Sequence, residues 1–246
     1  MTDRYADRAR NFAGLCELLL SGDLRETHGI LPWGSNYTFL MSICRDEAEA
    51  LAIYKPRRGE RPLWDFPDGT LCQREVAAYV VSEALSWHIV PPTVLRGGPQ
   101  GVGMVQSFIE HDPDQHYFTF GRQHRSQLQV IALFDFIVNN ADRKGGHCLL
   151  DSSGTIWAID HGICFHTQPK LRTVIWDFAD QRIPSELVDD MTTLLDRPGR
   201  EGTARALREL LSQAEIAAVF KRIEGLVRTK RYPEPGPGRQ YPWPPV

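Results

Sequence analysis

The sequence predicts an α+β chain folded as two lobes, a small β-rich N-lobe and a mainly helical C-lobe. Three observations lead there. Between residues 24 and 109, short runs rich in β-branched and aromatic residues alternate with turn clusters, and one helical stretch interrupts them. Residues 111–122 (HDPDQHYFTFGR) are polar and irregular. Beyond them the apolar runs lengthen to helical size, broken by one short hairpin signal. We divide the chain into residues 1–110, residues 111–230 and a proline-rich tail, 231–246. A cleft between the lobes is the expected place for a site.

Each element follows from local pattern. Residues 9–20 (ARNFAGLCELLL) have the spacing of a short amphipathic helix. Strands are expected over 24–31, 37–43 and 50–54, with Pro32, Gly34, Ser35 and Asn36 turning the chain between the first two. The third strand runs out at Lys55. Residues 56–70 carry three Pro and two Gly and read as a loop. A helix is expected over 71–87, stopped by Pro91 and Pro92. Short strands follow at 94–95 and 103–109. Residues 127–139 (QLQVIALFDFIVN) are almost continuously apolar and predict a buried helix. Residues 148–150 and 156–159 flank Asp151-Ser152-Ser153-Gly154, a hairpin signal. Three helices close the C-lobe, at 185–195, 203–211 and 212–228. In the last, Ser212 and Glu215 have capping-box spacing. Residues 232–246 contain six Pro and read as an extended or disordered tail.

Composition narrows the function. A hydrophobic share of 42% and a charged share of 24% suit a globular protein with a real core. The net charge of −3 gives no general affinity for nucleic acid. No apolar run approaches the ~20 residues of a membrane span. MTDRYADRAR lacks a signal-peptide core, so a cytoplasmic location is expected. The five Cys are scattered and form no CxxC pair, which reads as reduced thiols. Only 5 of the 28 basic residues are Lys, so a Lys in a structured position draws attention.

The segment Asn139 to Asp160 carries the chemistry. Asp142 opens a polar, glycine-containing loop after a buried helix, and Asp160 closes the second strand of the hairpin. Two carboxylates at opposite ends of such a unit can face one volume. One can lie beside an attacking hydroxyl and the other can hold a hard cation, as phosphoryl transfer requires. The competing reading is local: Asp142 caps a loop and Asp160 makes a turn. Lys55 at a strand end and Glu75 in the next helix supply the matching parts, a cation for phosphates and a carboxylate to hold it. The turn at Ser35 and Asn36 offers backbone N–H groups to phosphates.

In this order Lys55, Glu75, Asp142-Arg143-Lys144 and Ile159-Asp160-His161-Gly162 resemble the atypical kinases of the phosphatidylinositol 3/4-kinase-like group, which includes the HipA-like kinases. The resemblance spans roughly residues 24–180. It implies a two-lobed protein-kinase-like fold and an ATP-dependent phosphotransferase using Mg²⁺ or Mn²⁺, with a protein or small-molecule hydroxyl as acceptor. It makes Asp142 the catalytic-loop Asp, Asp160 a metal ligand, Lys55 the phosphate-holding Lys and Glu75 its partner. It places adenine against Gln106, Phe108 and Ile109. It leaves Arg143 structural or near the transferred phosphate. His147 stands where the group has a metal-binding Asn, and it either ligates a metal through nitrogen or points away. That departure keeps a second reading open, a nucleotide-binding pseudokinase serving as a regulatory module.

Overall fold

The computed structural model describes residues 2–30 and 37–246, without the side chains of residues 2–11, 26 and 30. The expected turn at Ser35 and Asn36 lies outside the described residues.

The first lobe is a five-stranded antiparallel sheet between two helices. Its strands are β1 (Asp23–Ile30), β2 (Phe39–Arg45), β3 (Ala48–Pro56), β4 (Thr93–Gly98) and β5 (Gly101–Ser107), in the order β1-β2-β3-β5-β4. Helix α1 (Thr2–Ser21) covers one face, where Leu18 and Leu19 pack with Met41, Ile43, Ala52, Tyr54, Val94 and Val105. Helix α2 (Leu71–Ala84) covers the other, where Cys72 and Val76 pack with Met104, Ile53 and Leu95. Period-2 alternation in β3 decides which side chains face which helix. Ala52 and Tyr54 point to α1. Ile53 and Lys55 point to α2. Glu60 reaches forward from the β3–α2 loop and accepts the N–H groups of Leu71 and Cys72, capping α2 in place of a residue at its own N-terminus.

The second lobe packs α3 (Arg125–Val138), α4 (Ser185–Leu195), α5 (Arg197–Leu207) and α6 (Gln213–Thr229) around one core. The far face of α2 enters it through Ala77, Ala78, Val81 and Leu85, so this helix belongs to both lobes. The expected hairpin forms from β6 (Cys148–Leu150) and β7 (Ile156–Ala158), with Leu149 opposite Trp157. The Ser212–Glu215 capping box opens α6 as its spacing predicts.

Helix α1 starts at Thr2 rather than residue 9, and α2 ends at Ala84 rather than residue 87. Helix α5 starts at Arg197 rather than residue 203, because Pro198 sits in its first turn, where a missing N–H costs nothing. Of the two states expected for the proline-rich tail, extended or disordered, the structure shows the extended one. Tyr232 is buried, and its hydroxyl donates to the Gln129 carbonyl at 3.0 Å. Further on, the tail bonds to the segment after Asp160 and to the loop after Asp142.

Candidate functional site

The site is built where β3, α2, the loop after α3 and the end of β7 meet. Lys55 Nζ donates to Glu75 Oε1 at 2.6 Å and to Asp160 Oδ1 at 3.0 Å. Glu75 is almost fully buried, and its other oxygen accepts the His161 N–H at 2.7 Å. One helix carboxylate therefore joins the β3 lysine to the segment that carries Asp160. Burial alone would push the Lys55 ammonium down. The carboxylates of Asp160 and Glu75 outweigh it and hold Lys55 charged well above the ordinary lysine range. Burial pushes Glu75 up against the pull of Lys55. For Asp160, burial is outweighed chiefly by the Lys55 ammonium, and its carboxyl lies far below the usual range. Asp160 also has a positive φ of 61°, a left-handed conformation that non-glycine residues adopt mainly where the surroundings impose it.

The loop after α3 is held from inside. Asn139 takes the left-handed conformation that ends α3 (φ 54°). Its side chain donates to the carbonyls of His166 and Gln168 and accepts the Lys170 N–H. Asn140 Oδ1 accepts the Asp142 N–H at 2.9 Å. Arg143 is fully buried and forks onto Asp135 of α3, its Nε lying 3.0 Å from each carboxylate oxygen. It also donates to the carbonyls of His147 and Ile159 and to His161 Nε2. Of the two roles left open for Arg143, the structure gives it the structural one. Asp135 escaped the sequence reading. Its signal was a lone charge inside the apolar run IALFDFIV, since a fully buried Asp needs a partner.

The Asp142 side chain is 28% exposed, with Lys144 Nζ 3.6 Å from Oδ2. Burial pushes its carboxyl up to about 6, against the pull of Lys144. His147 turns inward rather than away. Its Nδ1 must donate to the Asp142 carbonyl, 3.1 Å away, because a carbonyl can only accept. Its Nε2 lies 3.3 Å from Asp160 Oδ2. Burial pushes the imidazole down to about 4, so the ring is neutral at physiological pH rather than titrating near an unperturbed ~6.5.

The hinge residues separate. Gln106 is buried inside the sheet, paired on both edges with Ile53 and Thr93, and its side chain donates to Thr93 Oγ1 at 2.7 Å. The Phe108 N–H is taken by the Leu51 carbonyl, and the Ile109 carbonyl accepts from His111 Nδ1. Gln106 lies opposite Ile53, so its side chain shares the α2 face of the sheet with Ile53 and Lys55.

Asp160 Oδ2 and His147 Nε2 face each other at 3.3 Å. A neutral ring protonated at Nδ1 presents a lone pair there, and 3.3 Å is close to the ~3 Å edge of an octahedron with ~2.1 Å bonds. The pair fits a divalent cation. Among the described residues no group of three or more His, Cys, Asp or Glu side chains could hold a metal. A cation here would need its other ligands from phosphate oxygens and water, the usual arrangement for a nucleotide-bound metal.

This fold, a small sheet lobe over a helical lobe with Lys–Glu and Asp–His pairs between them, is kinase-like. The chain belongs to the phosphatidylinositol 3- and 4-kinase family, whose model matches residues 16–221. It is 36% identical over 245 residues to the Mycobacterium tuberculosis protein Rv2133c, covering 85% of this chain and 88% of that protein. Among solved structures it is similar to the Golgi casein kinase with Mn/ADP bound (TM-score 0.58, 14% identity, 89% of this chain and 75% of that one). It is also similar to a hydra Fam20 with sugar (0.58, 13%, 89% of each) and to the Helicobacter pylori proinflammatory kinase CtkA (0.50, 12%, 87% and 94%). At such identities these structures establish the fold alone. No helix among the described residues is long and apolar enough to cross a membrane.

Proposed function

We propose that the protein is an ATP-dependent phosphotransferase acting on a protein or small-molecule hydroxyl. The observation that carries this is the convergence of Lys55, Glu75, Asp160 and His147 within direct bonding distance, beside a partly exposed Asp142. Lys55 supplies a fixed positive charge for phosphate oxygens, and Glu75 keeps its ammonium aimed into the cleft. Asp160 Oδ2 and His147 Nε2 would hold a divalent cation. That cation, Mg²⁺ or Mn²⁺, would offset charge on the phosphates. The Golgi casein kinase structure, with Mn/ADP bound, is a precedent for a metal and a nucleotide together in this fold.

Asp142 is the residue for the acceptor. A carboxylate poised near 6 is ionised at neutral pH and still basic enough to take a hydroxyl proton as the oxygen attacks. Lys144 and the buried Arg143 scaffold limit where that carboxylate can point. The backbone beyond Phe108 lies beside β5 and is the reading's place for adenine, with Ile109 contributing.

The test is ADP and ATP binding with and without Mn²⁺. In Asp160→Ala, the metal-dependent part of nucleotide affinity should disappear while metal-free binding changes little. Equal loss in both conditions would reduce Asp160 to a structural residue. ATP cleavage that is absent in wild type despite tight metal-dependent binding would favour the pseudokinase reading.

A further inference from the structure

The tail has a place in the site that its composition does not suggest. After Tyr232 it crosses the helical lobe. The Gln240 carbonyl accepts both the Thr173 N–H at 3.1 Å and the Trp176 indole N–H at 3.2 Å. Thr173 is the residue that bridges to Arg143 of the catalytic loop, and its hydroxyl bonds Asp135, the partner of Arg143. Five residues later the Pro245 carbonyl accepts the Gly145 N–H at 2.7 Å. Gly145 lies midway between Asp142 and His147.

The loop needs this contact. Its first half is locked from below by Arg143. Its second half contains Gly145-Gly146, the pair with the greatest backbone freedom. Gly145 is held from outside by two bonds: its carbonyl accepts the Tyr117 N–H at 3.2 Å and its N–H meets Pro245. A Cβ at 145 would lie 2.9 Å from the Phe118 ring and 3.5 Å from the Pro245 carbonyl, so the position is closed on both sides. The tail does not plug the site: the Asp142 and Asp160 side chains remain 28% and 41% exposed.

We propose that residues 236–246 are a positioning strap for phosphoryl transfer, bracing Gly145 and Thr173 so that Asp142 and His147 keep their places. This rests on the phosphotransferase reading and assigns to it residues outside the cleft. In the simplest reaction water is the acceptor: its oxygen bonds the γ-phosphorus, the bond to ADP breaks, and Asp142 takes the proton. A loop displaced by ~1 Å costs on the order of 100-fold in such an alignment-dependent step. Nucleotide affinity, which Lys55 and Asp160 dominate, should hardly change.

The experiment compares the full chain with one ending at Pro235, which retains the Tyr232 anchor. Three quantities are measured: ADP affinity with Mn²⁺, ATP hydrolysis, and hydrogen exchange at the Gly145 and Thr173 amides. The strap predicts ADP affinity within about 2-fold, kcat lowered about 10- to 100-fold, and faster exchange at both amides. Trp176→Phe keeps the ring and removes one of the two donors to Gln240, so it should shift kcat in the same direction by less. This variant decides the question if the shortened chain fails to fold. Unchanged kcat in a folded shortened chain overturns the strap, and raised kcat shows a plug instead. A full chain that neither binds ADP nor splits ATP overturns the phosphotransferase reading itself and the strap with it.

Discussion

The pH dependence of the reaction should report Asp142, and Lys144 should move it. Asp142 is the cleft group whose carboxyl lies near 6. His147 titrates near 4, and Asp160 lower still. The base must be ionised to accept a proton. Activity is therefore present above about pH 6 and lost as pH falls through it. The profile of kcat/KM reports the free enzyme, the state to which this value belongs. The perturbation is Lys144→Met, which keeps most of the side-chain volume and removes the charge 3.6 Å from Asp142 Oδ2. A unit pair at that distance interacts by about 1.2 kcal/mol at the dielectric constant of water, equivalent to ~0.8 pH unit. Both side chains are about three-quarters buried, so the true interaction exceeds this floor. Salt at physiological strength screens over ~8 Å and leaves such a pair mostly intact. Removing a cation disfavours the carboxylate, so the acid limb should move from about 6 towards 7. The assay is ATP hydrolysis from pH 4.5 to 9 in both proteins. An unmoved limb, or one displaced to lower pH, would refute the assignment of Asp142 as base.

Two further outcomes test neighbouring parts. His147→Asn should raise the activity with Mg²⁺ relative to Mn²⁺, because an imidazole nitrogen penalises Mg²⁺ more than a carbonyl oxygen does. An unchanged ratio would remove His147 from the metal. Arg143→Met leaves Asp135 buried without its cation, so unfolding stability should fall by about 3–5 kcal/mol. Denaturant titration checks this, and a loss under about 1 kcal/mol would mean that Asp135 becomes protonated at little cost or reaches water.

Much of this architecture is legible in the sequence because it rests on periodicity and spacing. Alternation in β3 places Lys55 on the α2 face. The four-residue hairpin signal carries Asp160 to the end of β7. Ser212 and Glu215 open α6 at the expected residue. Elsewhere local pattern gave way to longer-range bonds. The helix expected to start at residue 203 starts at Arg197, because Pro198 is tolerated in a first turn. The resemblance placed adenine against Gln106, which β5 carries between β3 and β4, paired with Ile53 and Thr93. The docking of the tail was not legible because it is made by the backbone carbonyls of Gln240 and Pro245. Every residue has such a group, and only tertiary position gives it a partner.

Glu75 and Asp160 divide their oxygens between partners, and this bears on how the site works as a unit. Glu75 gives Oε1 to Lys55 and Oε2 to the His161 N–H. Asp160 gives Oδ1 to Lys55 and turns Oδ2 to His147. On the proposed reading, a cation at Oδ2 and the lysine at Oδ1 do not compete for one lone pair, so binding the metal need not free Lys55 from its partners. Lys55 is then held in place before nucleotide arrives, and little of the binding energy goes into ordering it. The same sharing ties the members together. A change at Glu75 releases both Lys55 and the backbone that carries Asp160. Its effect will therefore overlap with that of a change at Asp160 instead of adding to it, as expected for groups in one bonded network.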